Sequence, residues 1–124
     1  MKKINLAISG CMGRMGQQLI KSSKKNKSFE LVTLTENISV NKKFNGIKPE
    51  LNSERAFRKT DVIIDFTVPD CTLEILKIAF KLKKRVVIGT TGFNRIQENQ
   101  IKNFSKKIPI LKAGNMSSYY QLLK

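Results

Sequence analysis

The chain has 124 residues, of which 24 are Lys or Arg and 9 are Asp or Glu, for a formal charge of +15, with two cysteines and no histidine. That length suits one domain able to bury about two-thirds of its unfolded surface. It carries no disulfide framework or metal-ligand spacing, and no apolar run long enough to be a leader or a membrane span. The excess charge gathers where helices should end, at Lys24-Lys25, Lys81 to Arg85 and Lys106-Lys107, and complements helix dipoles there; with no interleaved aromatics and no recognition motif, a nucleic-acid partner is not expected beyond non-specific attraction.

The first element is an apolar run, Leu6-Ala7-Ile8, that suits a strand buried on both faces. Glycines recur at 10, 13 and 16, and an amphipathic helix is expected over about 13–23. Strand, glycine turn and helix aim a helix N-terminus at a phosphate. Gly10 allows the tight turn, Gly13 the close approach of a pyrophosphate and Gly16 the close packing of helix on strand. The spacing is G-x-x-G-x-x-G, with Met12 in the middle, and a loop that merely turns and caps a helix would show it too.

Phe29 to Thr35 reads as a second strand ending at Glu36, twenty residues beyond Gly16. A carboxylate there is placed to accept hydrogen bonds from an adenosine ribose, although a solvated strand end has the same appearance. Residues 37–60 read as a loop with a short strand near Ile47 and a short helix capped by Ser53 that carries Ala56 and Phe57 inward. Val62 to Phe66 is the strongest strand signal. Pro69 opens a helix with a broad apolar face through Leu82, and Arg85 to Ile88 is the next strand, ending in Gly89-Thr90-Thr91-Gly92-Phe93. Asn94 caps a further helix on which Ile96, Ile101 and Phe104 form the apolar face. Ile108 to Leu111 is the last strand, and Ala113 to Ser117 turns into another helix.

Alternating strands and helices imply an α/β fold, a doubly wound, Rossmann-like parallel sheet covered on both faces. Small or polar residues stand at every strand's C-terminal end, where such sheets bind ligands. Cys11 and Cys71 are read as free thiols of a reducing, cytoplasmic compartment.

Four stretches resemble one family: Gly10-Cys11-Met12-Gly13-Arg14-Met15-Gly16, Asp65-Phe66-Thr67-Val68-Pro69, Gly89-Thr90-Thr91-Gly92-Phe93 and Ala113-Gly114-Asn115-Met116-Ser117. In this order, over nearly the whole chain, they are similar to the N-terminal domain of the dihydrodipicolinate reductases of the diaminopimelate and lysine pathway. The resemblance implies that Gly10, Cys11, Met12, Gly13, Arg14 and Met15 hold a pyrophosphate, with Arg14 near the adenosine phosphates, and that Glu36 binds the ribose. It implies that Gly89, Thr90 and Thr91 line a nicotinamide pocket closed on its other side by Ala113, Gly114, Asn115 and Met116. The implied reaction is transfer of a hydride from NADH or NADPH to a cyclic dicarboxylate, giving tetrahydrodipicolinate.

Two departures from the family carry expectations. Many members place an arginine after the acidic residue to meet the 2′-phosphate of NADPH; Asn37 stands there, so NADH is expected to be preferred or accepted equally unless Lys42 or Lys43 folds back. The family's histidine- and lysine-bearing substrate motif has no counterpart, so residues 1–124 are read as the cofactor domain alone, from a truncated gene or a chain cut at the domain boundary. No catalytic residue and no metal ligand is assigned. Lys112, Tyr119 and Tyr120 are the nearby proton donors, and none is favoured. A dicarboxylate substrate is then a partner only if a second domain is supplied, and the family's homotetramer is not expected. The other readings are a stand-alone dinucleotide-binding module or remnant without turnover and, more remotely, another Rossmann reductase.

Overall fold

The computed structural model describes residues 2–112. The elements are β1 (Ile4–Ser9), α1 (Arg14–Lys25), β2 (Phe29–Thr35), α2 (Glu54–Phe57), β3 (Val62–Asp65), α3 (Pro69–Leu82), β4 (Arg85–Ile88), α4 (Arg95–Ser105) and β5 (Ile110–Lys112). They form a five-stranded, all-parallel sheet of order β2-β1-β3-β4-β5, the Rossmann-like α/β arrangement expected from the alternation.

The sheet order dictates where the helices lie. The chain steps one way from β1 to β2 and the other way from β3 to β5. Right-handed crossovers then put α1 on one face and α3 and α4 on the other. The strand residues alternate accordingly. Leu6, Ile8 and Ile64 pack with Leu19 and Ile20 of α1; Ala7, Ile63, Val86 and Ile88 pack with Ile75, Leu76 and Ala79 of α3 and Ile101 of α4. Ile63 and Ile64 are both fully buried, each stabilising the fold by about 1.5–3 kcal/mol, which is why β3 reads as an unbroken apolar run. Coverage of the α1 face is uneven: an apolar groove of about 480 Å³ runs past Phe29, Val62, Val87 and Leu111.

Caps set the helix starts. Ser53 accepts the Ala56 N–H at 3.0 Å, and Asn94 and Gln97 form a reciprocal capping box on α4. Pro69 occupies the first turn of α3, whose left-handed C-cap is Lys83, φ 59°. Near Ile47 there is an isolated bridge to Phe44 instead of a strand. Two expectations shift. β5 lies at Ile110–Lys112, because the Ile108 N–H is still held by the Phe104 carbonyl at the end of α4 and Pro109 has no N–H to give the ladder. Ile96 is 71% exposed; five residues from Ile101, it sits about 140° around the helix, and Gln97 takes the inward-facing position.

Candidate functional site

The strand order reverses between β1 and β3, so the turns after these strands leave in opposite directions and open a crevice at their C-terminal ends. Gly10 and Phe66 begin those turns. Gly10 has φ +82°, and a Cβ there would meet the Phe66 carbonyl oxygen at 2.2 Å. Gly16 is pressed onto the same turn, where a Cβ would lie 2.4 Å from the Gly10 carbonyl oxygen. Gly13 differs: its φ is −73°, and a Cβ would meet only the Gly10 oxygen at 3.5 Å. The fold therefore needs glycine at 10 and 16, whereas at 13 the missing Cβ leaves the loop open on its outer side.

Gly13 is the N-cap of α1, and no side chain caps this helix. The helix start thus keeps the positive end of its dipole available to an anion. Arg14, exposed, is its first residue, and Met15 follows, half-buried against the core. Cys11 turns fully inward to pack with Leu6 and Leu19, so only its backbone faces the loop; its N–H and that of Gly10 both reach the Thr35 carbonyl. Met12 is 44% exposed, and its N–H donates to Glu36 Oε2 at 2.9 Å. Glu36 Oε1 accepts the Asn37 N–H at 3.1 Å. Burial, with the Glu36 charge adding to it, pushes the Cys11 thiol up to about 11.

A cleft of about 190 Å³ lies over these groups, lined by Gly10, Gly13, Glu36, Asn37, Phe66, Thr67, Val68 and Cys71. Gly89 and Thr90 flank it on the β4 side: the Gly89 N–H donates to the Asp65 carbonyl, and the Thr67 N–H donates to Thr90 Oγ1 at 2.9 Å; Thr91, next in the chain, is exposed. Three of the four stretches singled out in the sequence therefore meet at one sheet edge. Ala113, Gly114, Asn115 and Met116 lie outside the described residues, as do Tyr119 and Tyr120.

The structure adds groups that the sequence reading passed over. Asp65, fully buried at the end of β3, receives the hydroxyls of Thr67 and Thr72, each at 2.5 Å, and that of Thr90 at 3.1 Å. Burial pushes its carboxyl up, and these hydrogen bonds oppose the shift. Beneath the glycine turn, Thr35 donates to Ser9, Ser9 to Asn52 Oδ1, and Asn52 Nδ2 to the Cys71 sulfur. The only local signal was a lone acid closing an apolar strand, since carboxylates are rarely fully buried unless partnered.

On the opposite edge, at the N-terminal ends of the strands, Lys2, Lys3, Lys83, Lys84 and Arg85 surround Asp61, so this part of the positive charge faces away from the cleft. Among the described residues no helix is long and apolar enough to cross a membrane.

The family model described as dihydrodipicolinate reductase, N-terminus, matches residues 4–116. The chain is 73% identical over 123 residues to the 4-hydroxy-tetrahydrodipicolinate reductase of Pelagibacter ubique strain HTCC1062, covering 99% of this chain and 48% of that protein. It is 39% identical over 138 residues to the enzyme of the same name from Buchnera aphidicola subsp. Cinara cedri, covering 98% and 50%. Among solved structures it is similar to the dipicolinate-bound dihydrodipicolinate reductase of Paenisporosarcina sp. TG-14, with a TM-score of 0.69 and 26% identity over 84% of this chain and 43% of that one. The chain spans about half the length of the curated relatives it matches.

Proposed function

The chain belongs to the family of dihydrodipicolinate reductase N-terminal domains, and from that premise we propose that it binds a reduced nicotinamide dinucleotide for the reduction of 4-hydroxy-tetrahydrodipicolinate to tetrahydrodipicolinate. The observation that carries this reading is the junction of Glu36 with the glycine turn at the β1/β3 reversal. An acceptor for ribose hydroxyls stands directly beside an uncapped helix start whose N-cap glycine leaves room for a phosphate. The residues present therefore fit the group. Gly13 and the first turn of α1 would hold the pyrophosphate, Arg14 would add a cation, and Glu36 would orient the ribose. Gly89, Thr90 and Thr91 would bound the nicotinamide end, with Ala113 to Met116 opposite them.

When bound, the cofactor supplies the hydride. The chain's own part is to hold the ring against a substrate and keep one face of it dry. Cations for the substrate carboxylates and a proton donor are assigned to the half of the relatives that this chain does not span, so turnover requires that half as well as this one. A cytoplasmic biosynthetic setting follows from the same reading.

Asn37 lines the cleft without a charge, and Lys42 Nζ is engaged over the Phe44 ring at 5.3 Å. Both support NADH being bound at least as tightly as NADPH. Titrating the 124-residue chain with each reduced cofactor, read by nicotinamide fluorescence, tests the proposal. Saturable binding with NADH no weaker than NADPH is expected; NADPH binding tenfold tighter would reject the preference, and no binding of either at millimolar concentration would reject the function.

A further inference from the structure

We propose that Asp65 is a positioning residue that locks the turns after β3 and β4 into one wall and so determines how the nicotinamide end of the dinucleotide is held. This deepens the dinucleotide-binding reading above and rests on it. The direction comes from the sheet order. Glu36 follows β2, Gly10 follows β1, Asp65 ends β3 and Thr90 lies just beyond β4. A ligand with its ribose at Glu36 and its phosphates at Gly13 has to run toward β3 and β4, and β2 to β4 spans three strand spacings, about 14 Å. The far end of the ligand therefore reaches the turns that Asp65 joins.

The lock rests on proton accounting. Each threonine hydroxyl has one proton to give, and Thr67, Thr72 and Thr90 all give theirs to Asp65. Thr67 adds its backbone N–H to Oδ1 at 3.2 Å and shares it with Thr90 Oγ1. The Thr90 hydroxyl thus has its proton and one lone pair committed. A carboxylate accepts only, so three donors around it have a single consistent arrangement. An amide at the same place brings its own N–H donors and forces the threonines to turn. Both ion pairs found among the described residues lie elsewhere, at Lys81–Glu54 and Lys112–Glu98. The fully buried Asp65 charge is therefore met by hydroxyls and a backbone N–H, which makes its surroundings directional where a lone cation would give a point attraction.

The test compares two ligands in the 124-residue chain: ADP-ribose, which has everything but the nicotinamide, and NADH. The unaltered chain should bind NADH more tightly than ADP-ribose. Asp65→Asn and the isosteric Thr90→Val should each weaken NADH binding about tenfold, toward the ADP-ribose value, while ADP-ribose changes by less than about twofold. Thr90→Ser, which keeps the hydroxyl, should restore NADH binding to within about threefold. If Asp65→Asn fails to fold in a thermal melt, Thr72→Val decides: it removes a hydroxyl that Asp65 accepts at a fully buried residue that does not line the cleft, and it should weaken NADH alone. A folded variant that loses both ligands equally, or neither, overturns the proposal, as does an unaltered chain that binds NADH no more tightly than ADP-ribose. An unaltered chain that binds neither ligand removes the dinucleotide reading, and this inference with it.

Discussion

The Glu36 carboxylate accepts the backbone N–H of Met12 at 2.9 Å, tying the end of β2 to the glycine turn after β1. This charge-assisted bond crosses between two strands paired in parallel and places an acceptor beside the open start of α1. Replacing Glu36 with Ala should weaken NADH and ADP-ribose together, by about tenfold or more, because the adenosine half common to both is what the residue is placed to meet. Parallel titrations of the two ligands check this; a loss confined to NADH would contradict it.

The three glycines should separate into two classes. Gly10→Ala and Gly16→Ala each drive a methyl into backbone, at 2.2 Å and 2.4 Å, and each should destabilise the chain by about 2–4 kcal/mol. Gly13→Ala meets nothing closer than 3.5 Å and should cost about 1 kcal/mol or less, as an N-cap change, while weakening NADH at least tenfold by filling the space left for phosphate. Urea unfolding of the three variants, with NADH titration of the third, tells the classes apart.

Asn37→Arg should raise affinity for NADPH about tenfold and leave that for NADH nearly unchanged, since the added guanidinium has a partner only in the 2′-phosphate. The ratio of the two dissociation constants is the measurement, and an unchanged ratio would place the 2′ position away from residue 37.

The two ends of the pH scale should read two buried groups. In the folded chain Cys11 keeps its proton up to about 11, against 9.0 for an unperturbed thiol. The folded state then binds more protons than the unfolded one between these values, so stability falls as pH rises through that window. Urea midpoints at pH 8 and pH 10.5 should differ less in Cys11→Ala than in the unaltered chain, and iodoacetamide at pH 8 should label Cys11 only after unfolding. The Asp65 carboxyl is also raised, from 3.8. Its contribution to stability is greatest below that value and declines as pH climbs through the folded one, and Asp65→Asn should remove this slope from the acid side of the profile.

Much of the architecture was legible because burial imposes periodicity. β3 and β4 are buried on both faces and read as unbroken apolar runs; Ser53, Pro69 and Asn94 announce helix starts through local chemistry. The place of Glu36 just past β2 was legible for a related reason, since a strand of set length delivers the residue that follows it to a set height above the sheet. Ile96 misled because an apolar residue near a helix start carries no information about which side it faces until its phase against Ile101 is known.

What the chain settles on its own is the order of its strands and helices and the glycines a close backbone approach demands, because each depends on residues near one another along the sequence. The register and the hydrogen-bond partners needed the folded molecule. β2 slips by one residue against β1 between Leu6 and Ala7, so that Ser9 faces Thr35 and Glu36 arrives over Met12. Asp65 gathers threonines two, seven and twenty-five residues away. No spacing rule announces either feature, because a hydroxyl's direction and a strand's slip are decided by atoms that meet only once distant segments have packed.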